Sequence, residues 1–154
     1  MPFTAPTTYF SKANSGYLAQ FLIGDAASPP NFTAISEIKS FAPDLVTMAE
    51  VDTTHLLSPN NTEEFVPAMI KPGKVVFGGN FLGDASQLNI TTLAQGQTIF
   101  PFQIKAPVQR GTKTYVCSGT GFISSYKPGP FENNKAIEFS VEIQLTGAYT
   151  ESTT

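Results

Sequence analysis

The chain has 154 residues, 41% of them apolar and only 14% charged, with a formal net charge of −3. That length supports one domain, which at this size buries roughly 68–70% of its unfolded surface. No basic run, no stretch of about 18 apolar residues and no basic-then-apolar leader are present, so a phosphate-gripping groove, a membrane-spanning helix and a signal peptide are not expected.

Residues 1–16 mix Pro, Thr and Ser with Phe3, Tyr9 and Phe10. A disordered tail has no need of these aromatics. The segment reads as an N-terminal arm, its rings packing either on a neighbouring molecule or on the chain's own domain. "YLAQFLI", 17–23, is a first strand, and "GDAASPPN" a turn-rich break. "FTAISEIKSFA", 32–42, is strand-like with a phase slip, since Ile35 and Ile38 stand three apart. A bulge would absorb that slip. Pro43 and Asp44 end it, and the β-branched "LVTMAEVDTTHLL", 45–57, follows. Residues 58–73, "SPNNTEEFVPAMIKPG", read as a long loop that nevertheless carries Phe65, Val66, Met69 and Ile70. Long loops in compact domains are commonly functional. "KVVFGGNFL", 74–82, resumes the sheet.

Residues 84–96 form the one good helix. Asp84 suits the N-cap, with Gln87 placed for a capping box. Ile90, Leu93 and Ala94 give an apolar stripe, and Gly96 suits a left-handed C-cap. So short a helix needs a sheet to lie on. "TIFPFQIKA", 98–106, is a strand that Pro101 assigns to an edge. "TKTYVCSGTGFISSY", 112–126, is another, followed by the turn "KPGPFENN". In "KAIEFSVEIQLTG", 135–147, Ile137, Phe139, Val141, Ile143 and Leu145 alternate with Glu138, Ser140, Glu142 and Gln144. Alternate side chains on a strand point to opposite faces, so one face is oily and the other polar and acidic. Residues 148–154 read as a short C-terminal tail, which makes 17–147 the folded domain. The pattern predicts a mainly β protein: a β-sandwich or partly closed barrel of about seven or eight antiparallel strands, with one flanking helix over about 84–95.

Tests for chemistry fail. His55 and Cys117 are the single His and Cys of the chain. Zinc needs three or four ligands, and no carboxylate spacing completes a set. No metal, cofactor or catalytic residue is expected. Cys117 lies in an apolar run and reads as a buried, inert thiol, with no disulfide available to it. Gly119 and Gly121 lie inside a strand rather than between strand and helix, so they are no dinucleotide fingerprint. Lys105, Arg110 and Lys113 read as a solvated loop. The Asn-x-Thr triplets at Asn31, Asn60 and Asn89 read as accidents of composition.

The order of features resembles the tail tube protein (major tail protein) of long-tailed phages with non-contractile tails. The resemblance covers about residues 17–150. It rests on the slipped strand with Glu37 and its Pro-ended turn, and on Val51–Thr54 leading through the 58–73 segment to Pro72–Gly73. It also rests on the alternating strand that closes on Thr146–Gly147. Lys71 and Lys74 depart from an acidic or Gly-rich segment expected there. The resemblance implies a structural virion protein, not an enzyme. It implies homohexameric rings stacked into a tube, with neighbouring strands pairing edge to edge, and DNA passing only in transit to the host. It implies tape-measure, baseplate or tail-tip and tail-terminator proteins as partners, no membrane, and a place in the virion tail after assembly in the host cytoplasm. Phe65, Val66, Met69 and Ile70, with Phe3, Tyr9 and Phe10, become inter-ring interface residues. Glu138, Ser140, Glu142 and Gln144 become lumen-facing, or else face outside water. A neutral-to-acidic wall would keep anionic DNA from sticking. Two other readings stand beside this one: the inner tube of a contractile injection or secretion system, and a carbohydrate-binding or adhesive β-sandwich. The absence of Trp counts against the last.

Overall fold

The structure is a computed structural model that describes Gly16 and residues 18–154. Phe3, Tyr9 and Phe10 lie outside the described residues. Among the described residues the strands are β1 (Gln20–Gly24), β2 (Phe32–Ala34), β3 (Ile38–Pro43), β4 (Val46–Asp52), β5 (Phe65–Pro72), β6 (Lys74–Asn80), β7 (Phe100–Val108), β8 (Lys113–Pro128) and β9 (Glu138–Thr153). One α-helix, α1 (Ala85–Gln95), lies between β6 and β7. Seven strands form an antiparallel sheet in the order β2-β1-β7-β8-β9-β6-β3, and β4 pairs with β5 in a separate two-stranded sheet.

The large sheet curls on itself. Its two end strands, β2 and β3, are joined by only Ile35, Ser36 and Glu37, so the edges must approach each other. Phe21 of β1 stacks on Phe77 of β6 at 4.6 Å between ring centroids, although three strands separate β1 from β6 in the sheet. Phe102 stacks on the same Phe21 ring at 5.5 Å. The concave face holds the core, in which Val75, Ile104, Cys117, Phe139, Val141 and Ile143 are also buried. Each such side chain contributes about 1.5–3 kcal/mol through burial. The curl stops short of closure, giving the expected sandwich or partly closed barrel, with nine strands among the described residues rather than about seven or eight.

The slip at Ile35 and Ile38 turns out to be a corner rather than a bulge within one strand. The chain leaves one end of the sheet, turns through Glu37 in the left-handed region (φ 59°), and joins the other end. A bulge does follow, between Ile38 and Ser40. Strands that change layers do so through such bends. Gln87 of α1 fixes the corner. It is fully buried, and its Nε2 donates to the carbonyls of Ser36 (3.0 Å) and Asn80 (2.9 Å). Its Oε1 accepts from the N–H groups of Leu82 (2.7 Å) and Gly83 (3.0 Å). Only half of the capping box is therefore present: Asp84 Oδ1 accepts from the Gln87 N–H at 3.1 Å, but the Gln87 side chain turns inward. At the other helix end Gly96 stays right-handed (φ −78°), and Gln97 is the left-handed residue (φ 50°).

Three expectations require correction. The second half of the 58–73 segment is strand β5, not loop. Pro67 and Pro72 obscured it in the sequence. They are tolerated because, among the described residues, β5 pairs only with β4 and its other edge is unpaired. The tail at 148–154 is the end of β9, which runs to Thr153 opposite Tyr115. Gly147, at φ 79°, kinks the strand without ending it. Pro101 is not on an edge strand, since β7 lies between β1 and β8. It stands one residue beyond the last β1–β7 pair, Ile23 with Phe102, so its missing N–H interrupts no ladder on that side.

Candidate functional site

Two surfaces stand out, a polar sheet face and an apolar arm. The first is the outer face of β9. Phe139, Val141, Ile143 and Leu145 are buried, while Glu138 and Ser140 are exposed and Glu142 and Gln144 half-buried. The alternation therefore separates the faces as expected. The neighbours in register change its electrostatics. Lys39, in the β3 bulge, reaches across β6 to place Nζ 2.7 Å from Glu138 Oε1. At the same crossing β3 and β6 lie close: a Cβ on Gly79 would collide with the Glu37 carbonyl. The hydrogen bond and charge of Lys39 hold the Glu138 carboxyl below the usual range. Lys74 Nζ lies 3.9 Å from Glu142 Oε1, and Lys127 of β8 stands opposite Ser140. Gln144 Nε2 donates to the Gly73 carbonyl at 3.1 Å. Two carboxylates thus face three ammonium groups, and the exposed side chains Val76 and Phe122 interrupt the polarity. The face is therefore not acidic: Glu138 and Glu142 offset Lys39 and Lys74, and Lys127 adds one further positive charge. The three lysines come from other strands, so the alternation within β9 could not reveal them.

The second surface is the β4–β5 arm. Its strands pair from Val46 with Pro72 to Asp52 with Phe65, with a bulge between Met48 and Glu50. A two-stranded ribbon with no covering layer leaves apolar side chains in water. Phe65, Val66, Met69 and Ile70 are all exposed, Met69 at 84%. The sequence reading missed Val46, Met48, Val51, Leu56 and Leu57, which are exposed on the same arm. Nothing in the β-branched run 45–57 distinguished it from a core strand. The arm is rooted in the sandwich: the Asp44 N–H donates to the Lys74 carbonyl at 2.8 Å and the Leu145 N–H to the Gly73 carbonyl at 3.1 Å.

The tip of the arm is knotted by hydrogen bonds. Ser58 Oγ donates to Glu64 Oε2 at 2.6 Å, and His55 Nε2 lies 3.5 Å from the same oxygen. His55 Nδ1 accepts from the Leu57 N–H, which ties the imidazole to the turn. Cys117 is fully buried in the core, where burial pushes its thiol up from its ordinary value. Among the described residues no group of three or more His, Cys, Asp or Glu could hold a metal ion, and no helix is long and apolar enough to cross a membrane. Lys105 is on β7 opposite Gln20 and Val116, not on a loop.

No protein-family model matches the chain, and no curated protein matches it. Solved structures match its fold. A chain from the tail of an empty gene transfer agent particle, of C6 symmetry, superposes with a TM-score of 0.74 at 15% identity, over 91% of this chain and 99% of that one. A chain of the anti-feeding prophage cap, which terminates that tube, gives 0.72 at 11% identity over 100% of both chains. The SPP1 tail tube gives 0.61 at 14% identity, over 96% of this chain and 79% of that one. The curled sheet with its flanking helix and arm is thus a tail-tube fold.

Proposed function

We propose that the chain is the repeating subunit of a phage tail tube, a structural virion protein that forms stacked hexameric rings around a channel for DNA delivered to the host. The observation that carries this reading is an unclosed curled sheet with an apolar arm, in a fold shared with tail and tube components. Open strand edges invite pairing, and closing a ring with neighbours removes them. Exposed apolar side chains on an arm suit the centre of a subunit contact. The role is mechanical and needs no catalytic residue. The assembly works with tape-measure, tail-tip and terminator proteins, and resides in the virion tail after assembly in the host cytoplasm. Electron microscopy of the protein at rising concentration tests this reading. Hollow tubes or rings are expected, and a protein that stays monomeric at every concentration argues against it.

In this assembly the outer face of β9, with Glu138, Ser140, Glu142 and Gln144, lines the channel. Its carboxylates offset two of its three lysines, which supports a wall that attracts DNA only weakly. Each phosphate neutralised by a free lysine adds affinity, and Glu138 and Glu142 counter Lys39 and Lys74. A S140C variant tests the orientation. In assembled tubes a small thiol reagent should label it and a bulky polymer maleimide should not, while equal labelling by both places the face outside.

The inner tube of a contractile injection system is the second reading. A match to a chain of the sheath-tube complex of an extracellular contractile injection system, with a TM-score of 0.62 at 12% identity, favours it. A sheath protein that co-assembles with the tube would select it.

A further inference from the structure

We infer that Gln144 is a positioning residue: its amide pins the β4–β5 arm at its root and presets the angle at which the arm leaves the sheet. The inference rests on the assembly reading above for its consequence, not for its geometry. The arm is the outer part of one long hairpin. Pro43 of β3 pairs with Val75 of β6, and Val46 of β4 pairs with Pro72 of β5. Both sets share one register, which would set Asp44 opposite Lys74 and Leu45 opposite Gly73. The ladder nevertheless divides there into two sheets. Pro43 and Pro72 flank the break, and neither has an N–H to donate. Gly73 is buried, and a Cβ on it would collide with the Asp44 carbonyl, so the two backbones meet at the break with no side chain between them.

The next strand, β9, follows the hairpin only as far as this break. It pairs with β6 from Glu138 opposite Asn80 to Gln144 opposite Lys74, and the Leu145 N–H still reaches the Gly73 carbonyl at 3.1 Å. Beyond that point the branches part. Leu45, Val46, Ile70 and Pro72 of the arm face Ala148 and Tyr149 of β9 across a recess of about 450 Å³. The branches are not packed together, so hydrogen bonds at the fork must set the arm's angle. Gln144 stands at that fork. Its Nε2 lies 3.3 Å from the Pro72 carbonyl, 3.1 Å from that of Gly73 and 3.2 Å from that of Leu145. Pro72 and Gly73 belong to the arm's root and Leu145 to β9, so one amide spans both branches. A second tie is the Asp44 N–H, which donates to the Lys74 carbonyl at 2.8 Å. A few residues between rigid elements are enough to make a hinge. A segment already held in its bound orientation loses less freedom on association. The pin thus prepares the arm for the neighbour it meets. Gln144 shares the outer face of β9 with Glu138, Ser140 and Glu142, but its amide is turned to the arm.

Amide exchange and assembly of three variants test the pin. Q144L removes the donors, Q144E sets acceptor oxygens against the same carbonyls, and Q144K keeps a donor there. In dilute wild-type protein the Asp44 and Leu145 amides should be protected. Both should exchange several-fold faster in Q144L and Q144E, while the amides of β7 and the melting temperature stay nearly unchanged. Q144K should restore their protection. Tubes should form several-fold more slowly from Q144L and Q144E than from the wild type and Q144K. Fork amides that ignore Q144L and Q144E overturn the pin, and so does a Q144K protein that behaves like Q144L. Opposite responses of Q144L and Q144E assign the effect to charge on the sheet face and overturn the donor role. Faster fork exchange with tubes forming at the wild-type rate overturns the preset angle. If the wild type forms no tubes, faster fork exchange in Q144L and Q144E upholds the pin and removes the tube reading.

Discussion

Gln87 shows how much one side chain can hold. Its amide satisfies four backbone groups, on the corner at Ser36, on β6 at Asn80, and on the turn at Leu82 and Gly83. A buried polar group left without its partner costs about 1–3 kcal/mol. Gln87→Leu keeps most of the volume and strands all four groups, so we expect a loss of at least about 3 kcal/mol, read from the denaturant midpoint. Asp84 acts beside it. Hydrogen bonds from Ser36 Oγ, then the Gln87 N–H and Ser86 Oγ, hold its carboxyl below the ordinary aspartate range. A depressed folded value means that its stabilisation is present above the unfolded value and is lost as pH falls through the folded one. Thermal unfolding followed from neutral pH into the acid range should show that loss. Asp84→Asn should be less stable at neutral pH and show a shallower decline. An unchanged pH slope would remove this role from Asp84.

At the scale of elements, the arm and the sandwich obey different rules. Core strands bury one face, and their alternation in the sequence announced that face plainly, as in β9. The arm buries neither face, so its residues looked like a core strand on one side and a loop on the other. β5 was hidden because prolines at 67 and 72 mimic a loop where a strand has a free edge. The end of β9 was hidden because Gly147 resembles a stop while β8 runs on beside it. The start of the helix was legible because Asp84 caps it locally, accepting from the Gln87 N–H three residues on. The lysines that offset Glu138 and Glu142 were not, because pairing across strands depends on register. Removing the arm's tip, residues 55–62, and closing it with a two-residue turn should leave circular dichroism and the melting temperature of the sandwich nearly unchanged. Tube formation should be lost, and normal tubes from this variant would deny the arm a part in assembly.

Taken whole, the molecule has a stable interior and an uncovered periphery. The Phe21–Phe77–Phe102 stack ties the two layers together at their centre. Phe77→Ala should cost about 3–5 kcal/mol, a large share of the stability of a single domain. Amide exchange should divide the chain likewise. In dilute protein, β7, β8 and the first half of β9 should be well protected, and the arm should exchange rapidly. On assembly, protection should rise in the arm and along the outer edges of β2 and β3. Protection that rises elsewhere instead would relocate the subunit contacts.

The short link through Ile35, Ser36 and Glu37 has a mechanical meaning. It works as a strap across a split hoop, fastening the two margins that would otherwise spread. A pull on β3 passes through that strap to β2, with Gln87 as its rivet, before it reaches the aromatic interior. Force that spreads the margins of such a hoop would therefore load the strap and its rivet before it disturbed the packed rings.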